Sequence, residues 1–301
     1  MSPPRIAFIG LGRMGLPMAA KLVAAGHTVA GFDVVSDALV AAAEQGVSPR
    51  GSLAEAVDGA EVIVTMLPSG EHLRDAYVEL LPAARAGGLA LDCSTVDIAS
   101  ARFAHEAAQA AGLDSVDAPV SGGVIGAETG SLTFMAGGED AAIDRAEPLL
   151  ARMGKRVVRC GPAGSGQVAK LANNMILGAS MLAVSEAFVL AERLGVSHEA
   201  LFAVASTSSG QCWALTTNCP VPGPVPTSPA NRDYTPGFSA ELMLKDLTLA
   251  QEAAQQGGAA CEVGALALDV YHRYVEDGGA GTDFSGVVRW VRERSSTDAK
   301  A

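Results

Sequence analysis

The sequence predicts an α/β chain in two parts: an N-terminal doubly wound Rossmann-type sheet over residues 1–163, then an all-α C-terminal domain over residues 164–301, joined by a long helix. Three observations predict it. Short β-branched runs alternate with helical stretches over most of the first half, the pattern of repeated βαβ units. The first of those units carries Gly10-Leu11-Gly12-Arg13-Met14-Gly15 between its strand and its helix. Beyond Gly164-Ser165-Gly166 nearly every stretch has helical periodicity.

Residues 5–9 form a buried-strand run, the glycine turn follows at once, and a helix over 16–25 closes at Gly26. Gly10 permits the tight turn, Gly12 lets the backbone approach a pyrophosphate, and Gly15 lets the helix pack closely on the sheet. The phosphates then sit on free N–H groups at the helix N-terminus, so Leu11, Arg13 and Met14 count with the cofactor site. The next strand, 28–32, ends in Asp33, 18 residues after Gly15, where a carboxylate accepts hydrogen bonds from the adenosine ribose. That carboxylate repels a 2′-phosphate, and Val34-Val35-Ser36 supplies no arginine to hold one. NAD is therefore expected rather than NADP.

A helix over 36–45, a strand over 61–67, a helix over 71–81, a strand over 89–93 and a helix over 97–111 continue the alternation. Ligands of such sheets bind beyond the carboxyl ends of the strands, which places Leu67, Pro68 and Thr95 beside the dinucleotide. For Ser69 and Thr95 an ordinary helix cap is an equally good reading. Next comes Asp117-Ala-Pro-Val-Ser121-Gly122-Gly123, just past a short strand. Successive backbone N–H groups at Ser121, Gly122 and Gly123 can form an anion-binding concavity, and a plain glycine-rich turn is the alternative. Strands over 131–136 and 156–159 flank a helix over 140–152.

Composition narrows the function classes. A chain of 301 residues has room for two ordinary domains with proper cores. Half of it is apolar, yet no apolar run is expected to span a membrane and the N-terminus leads straight into a strand, so a soluble cytoplasmic protein is expected. A net charge of −12 without clustered Lys and Arg argues against a nucleic-acid partner. The five cysteines show no CxxC spacing and no histidine companions, so reduced thiols and no structural metal are expected.

The helix opening at Ser165 or Gly166 runs to about residue 194 and carries Lys170 and Asn174 four residues apart, hence on one face. An amine and an amide at the mouth between two domains can move a proton and orient a hydroxyl. The helix is apolar on all sides and is expected to be buried, in its own domain or against another subunit, which makes a homodimer or homotetramer the expected assembly. A helix over 198–205 precedes a long segment, 207–238, with six prolines, which is expected to cover a site or wrap a neighbour. The helix over 239–256 carries Lys245-Asp246, either a solvated pair or a lysine reaching the cofactor or substrate mouth, with Asp246 fixing it or capping a neighbouring element. Helices over 260–276 and 285–294 and a frayed tail over 295–301 end the chain.

With the glycine turn, the 117–123 motif, the 164–174 motif and Lys245-Asp246 in order, the chain resembles the β-hydroxyacid dehydrogenase family over essentially its full length. The resemblance implies Lys170 as general base with Asn174 as its partner. It also implies a cradle for the substrate carboxylate at Ser121-Gly122-Gly123 and a cofactor-side contact at Lys245. Some relatives that use NADP carry an arginine after the second strand, absent here, and imine-reducing or non-catalytic relatives typically lack the lysine. Within the family the loop through Cys212-Trp213 and Asn218-Cys219 looks most like the branch that oxidises 3-hydroxyisobutyrate in valine catabolism. A lysine acting as base near neutral pH must be brought down from its usual pKa near 10.4, and Lys245 is expected to help as a like charge.

Overall fold

The computed structural model describes residues 3–297. Its strands are β1 (Ile6–Ile9), β2 (Val29–Phe32), β3 (Ser48–Pro49), β4 (Val62–Thr65), β5 (Leu89–Asp92), β6 (Asp114–Asp117), β7 (Val120–Ser121), β8 (Leu132–Gly138) and β9 (Gly154–Gly161). Between them run α1 (Gly15–Ala24), α2 (Ser36–Glu44), α3 (Leu53–Val57), α4 (Gly70–Leu80), α5 (Ile98–Ala110), α6 (Gly123–Thr129) and α7 (Asp140–Met153). The helices that follow are α8 (Ser165–Arg193), α9 (His198–Ala205), α10 (Trp213–Thr216), α11 (Ala240–Gly257), α12 (Glu262–Tyr274) and α13 (Val287–Thr297). The chain forms two compact units, Met1–Lys170 and Leu171–Ala301. The division thus falls inside α8, whereas the sequence pattern placed it before the helix, at 163. The first turn of α8 bonds to the strands of the first unit, which local periodicity does not reveal.

In the first unit the strand order is β3-β2-β1-β4-β5-β6-β8-β7, with β9 beside β8. From β3 to β6 all pairs are parallel, β8 runs antiparallel to β6 and β7, and β9 lies parallel to β8. The order reverses between β1 and β4, which makes the carboxyl ends of those strands the crevice for a ligand. Alternate residues of β1 enter opposite core layers. Ile6 and Phe8 pack with Met18, Leu22, Val64 and Leu150, while Ala7 and Ile9 pack with Ile63, Tyr77 and Leu80. Burial on both faces is what its continuous apolar run encodes.

The second unit is helical. Met181 and Leu182 of α8 pack with Met243, Leu247, Tyr271 and Phe284, and further along Phe188 and Val189 pack with Leu215, Val221 and Tyr234. Gly178 packs tightly there, since a Cβ would lie 3.1 Å from Leu247 Cδ2. One expectation for α8 needs correction. The helix is long and apolar enough to cross a membrane by length and composition, with mean hydropathy 1.6 over its best 18 residues. Within the single chain 44% of that window is buried, and Ile176 and Leu190 are exposed. It is nonetheless the core helix of its unit, with Asn174 and Ser185 among its buried residues.

The proline-rich segment is stitched rather than open. Asn231 accepts from the Gly223 N–H at 3.0 Å and donates to the Val225 carbonyl at 2.8 Å, and the Tyr234 hydroxyl donates to the Pro220 carbonyl at 2.8 Å. Asp283, buried, accepts from Asn218 Nδ2 and from the N–H groups of Gly237 and Phe238, so it ties the middle of the segment to its C-terminal end. Of the expected frayed tail, residues 295–297 continue α13 and residues 298–301 lie outside the described residues.

Candidate active site

The glycine turn takes the form its spacing predicts. Gly10 has φ +92°, and a Cβ there would lie 2.3 Å from the Met66 carbonyl oxygen; at Gly15 it would lie 1.9 Å from the Gly10 oxygen. Gly12 is exposed, with nothing within 4 Å of where a Cβ would stand, so this peptide is open to a ligand. Leu11 is buried, Met14 sits half-buried at the start of α1, and Arg13 is exposed beside Gly12. Asp33 accepts from the Leu11 N–H at 2.6 Å and from the Val35 N–H at 2.8 Å. Those two bonds tie the acid to the turn and leave about half of the carboxylate's four acceptor sites for ribose hydroxyls. These residues fit a dinucleotide: an open peptide at the helix start and a carboxylate one strand away.

Leu67 and Pro68 follow β4, and Thr95 follows β5, all partly or fully exposed at the carboxyl edge of the sheet. Ser69 proves to be the cap of α4, accepting from the His72 N–H. Beneath this edge lies a buried network that the sequence did not reveal. Ser94 Oγ accepts from the Leu67 N–H at 2.8 Å and donates to Asp92 Oδ1 at 2.6 Å, and Thr65 Oγ1 donates to the same oxygen at 2.7 Å. Asp92 Oδ2 has no partner. Burial therefore pushes the Asp92 carboxyl up to about 6, against the pull of the Ser94 and Thr65 hydrogen bonds.

Ser121 ends β7, and Gly122 and Gly123 follow with φ +133° and +61°, conformations that side chains rarely adopt. The pair turns the chain into α6, a short helix that the sequence reading, a concavity or a glycine-rich turn, does not include. Ser121 and Gly123 are half-buried and Gly122 is exposed, so hydroxyl and peptide groups are gathered at one accessible junction.

Lys170 is buried to 7% exposure near the start of α8, and Asn174 to 2% one turn further on. Within the second unit, Asn174 Nδ2 donates to Asp246 Oδ2 at 2.5 Å, and its Oδ1 accepts from Asn173 Nδ2 at 3.0 Å. Asp246, also buried, stands 3.4 Å from Lys245 Nζ through its other oxygen. The Lys245-Asp246 pair is thus not simply solvated: the acid fixes Asn174 and offsets the Lys245 charge. Asp246 is a site residue that sequence reasoning left undecided between two roles. The 72 positions separating it from Asn174 explain why.

The two units match two family models. Residues 5–161 match the NAD binding domain of 6-phosphogluconate dehydrogenase, and residues 164–291 match the NAD-binding domain of NADP-dependent 3-hydroxyisobutyrate dehydrogenase. A 3-hydroxyisobutyrate dehydrogenase of Pseudomonas aeruginosa is 42% identical over 95% of this chain and 98% of its own length. The chain belongs to the 3-hydroxyisobutyrate dehydrogenase family. It is accordingly an oxidoreductase that uses NAD. A second Pseudomonas aeruginosa relative, an NAD-dependent L-serine dehydrogenase, is 44% identical over 94% of this chain and 96% of its own. The solved structure of Mycobacterium tuberculosis 3-hydroxyisobutyrate dehydrogenase with L-serine is 49% identical and superposes with a TM-score of 0.93, covering 96% of this chain and 99% of that one.

Proposed function

We propose that the protein oxidises 3-hydroxyisobutyrate to methylmalonate semialdehyde, as valine breakdown requires, with Lys170 as the general base. The observation that carries this reading is the burial of Lys170 one helical turn from Asn174, whose amide is already oriented by Asp246. Neutral Lys170 takes the proton of the substrate hydroxyl. Asn174 has one N–H engaged by Asp246, and its second N–H donates to the hydroxyl oxygen and holds the C–O bond in place. The Ser121 hydroxyl and the N–H groups of Gly122 and Gly123 hold the substrate carboxylate. Bound NAD+ supplies the hydride acceptor. Lys245, tethered by Asp246, is assigned to the cofactor in this reading. The protein works in the cytoplasm as a homodimer or homotetramer, a reading supported by the exposed Ile176 and Leu190 of α8.

The names of two relatives favour a second substrate, L-serine, within the same mechanism. Serine carries an amino group where 3-hydroxyisobutyrate carries a methyl, a difference that pockets discriminate by about 1–3 kcal/mol when only apolar contacts are involved. Tartronate semialdehyde reduction and 3-hydroxypropionate oxidation are variants on the same frame. The test is kcat/KM for NADH formation with 3-hydroxyisobutyrate, L-serine, 3-hydroxypropionate and glycerate, in wild type and in Lys170→Ala. Preference for 3-hydroxyisobutyrate and a loss of at least about a hundredfold in kcat for the variant are expected. Preference for another acid replaces the substrate, and near-normal turnover in Lys170→Ala removes the base. NADH binding without any turnover would instead indicate a non-catalytic sensor.

A further inference from the structure

We propose that Asp117, seconded by Gln167, is a positioning residue for Lys170, an inference that rests on the reading of Lys170 as the base. Asp117 ends β6 and is buried to 5% exposure. Its Oδ1 accepts from the Gly164 N–H at 2.7 Å and its Oδ2 from the Gln167 N–H at 3.2 Å, and the Gly166 N–H also bonds to it. These are the donors that a helix N-terminus leaves without an internal partner. Here an acid 47 to 50 residues upstream satisfies them, in place of a local cap.

The seat for this carboxylate is narrow. A Cβ at Gly137 would lie 2.6 Å from Asp117 Oδ1, and one at Gly166 would lie 2.6 Å from Oδ2 and 2.2 Å from the Met135 carbonyl oxygen. Glycine at both positions lets the start of α8 press directly on β6 and β8. Gln167, fully buried, completes the attachment: its Nε2 donates to the Ser94 carbonyl at 2.9 Å and its Oε1 accepts from the Val96 N–H at 3.1 Å. The first turn of α8 is therefore fixed in both height and rotation at the carboxyl ends of β5 and β6. Lys170 follows Gln167 by three residues, about 4.5 Å along the axis, and inherits that setting. Burial pushes the Asp117 carboxyl up to about 6 although the backbone donors pull it down, so keeping it there is unfavourable in itself. Reacting groups displaced by about 1 Å lose up to about a hundredfold in rate. That sensitivity is the reason to hold the turn so firmly.

The test is a set of full-length variants: Asp117→Asn, Asp117→Ala and Gln167→Met, each alone and combined with Lys170→Ala. Folding is read by circular dichroism, NADH affinity by fluorescence, and kcat and KM with NAD+ and the best acid of the panel above. Asp117→Asn is expected to fold, to bind NADH within about threefold of wild type, and to lose about ten- to a hundredfold in kcat with KM little changed. Asp117→Ala should lose more, because asparagine keeps one acceptor oxygen. In the Lys170→Ala background Asp117→Asn should change the residual kcat by less than about twofold, since a group acting through the lysine has nothing left to position. If Asp117→Asn does not fold, Gln167→Met carries the same expectations. Wild-type kcat in the folded variant, or an equal fractional loss with and without the lysine, overturns the proposal. Near-normal turnover in Lys170→Ala alone overturns the base reading instead, and is seen without any Asp117 variant.

Discussion

Asp92→Asn should change the pH dependence of stability by an amount the buried network fixes. The Asp92 carboxyl is raised from 3.8 to about 6 in the folded protein, chiefly by burial. At 1.36 kcal/mol per pH unit this amounts to about 3 kcal/mol. The sign follows from proton counting. Between those two pH values the folded state binds more protons at Asp92 than the unfolded state does, so this contribution is full below pH 3.8 and is lost as pH rises through about 6. Asparagine keeps the Oδ1 acceptor for Thr65 and Ser94, and it cannot ionise. Its amide nitrogen replaces the unpartnered Oδ2, which costs about 1–3 kcal/mol at every pH. The stability of the variant minus that of wild type should therefore rise by about 2.4 kcal/mol between pH 4 and pH 7.5, the rest of the change lying below pH 4, whatever its value at pH 4. Urea unfolding of both proteins at half-unit intervals, monitored by circular dichroism, measures that difference, and the like-signed titration of Asp117 largely cancels. A flat or falling difference would refute the claim that the buried carboxyl, rather than its hydrogen bonds, controls this titration.

Gly12→Ala should leave the thermal midpoint within a degree or two, because nothing lies within 4 Å of the added Cβ, yet weaken NADH binding by at least about tenfold through the lost backbone approach. Gly15→Ala should destabilise strongly, since its Cβ would meet the Gly10 oxygen at 1.9 Å; equal effects of the two changes on stability would contradict the division of roles. With Lys170 as the proposed base and Lys245 as the proposed like charge beside it, Lys245→Ala should move the acidic limb of the kcat/KM profile to higher pH. An unmoved limb would show that Lys245 does not tune it.

The parts of the molecule legible in the sequence are those that announce themselves locally. Gly10, Gly12 and Gly15 sit between a strand and a helix, and that context predicts a tight turn at Gly10, an open peptide at Gly12 and close packing at Gly15, as the surroundings of a Cβ at each bear out. Lys170 and Asn174 are readable for the same reason, a fixed interval on one helix. Short elements escaped: β3 has two residues and α3 five, too few for any period to register. Two buried acids escaped as well. Asp92 and Asp117 each end an ordinary-looking strand, and their partners are found by tertiary contact; Asp246 is legible beside Lys245, but its bond to Asn174 is tertiary too. A charged residue closing an apolar strand, with glycines at the start of a distant helix, is the signal that would have pointed to Asp117.

The attachment of α8 to β6 also bears on where this protein could be divided. When the first 163 residues have left the ribosome, all nine strands have been synthesised, yet the acceptors of Asp117 face donors that do not exist until Gly164, Gly166 and Gln167 emerge. The nucleotide-binding half is finished only by the opening turns of the next helix. A chimera spliced after Lys170 would carry a completed module, and one spliced at 163 would carry an open one. Recombination that respects this seam moves the lysine together with the cofactor turn, leaving Asn174 and Asp246 to be supplied by whichever helical half is joined to it.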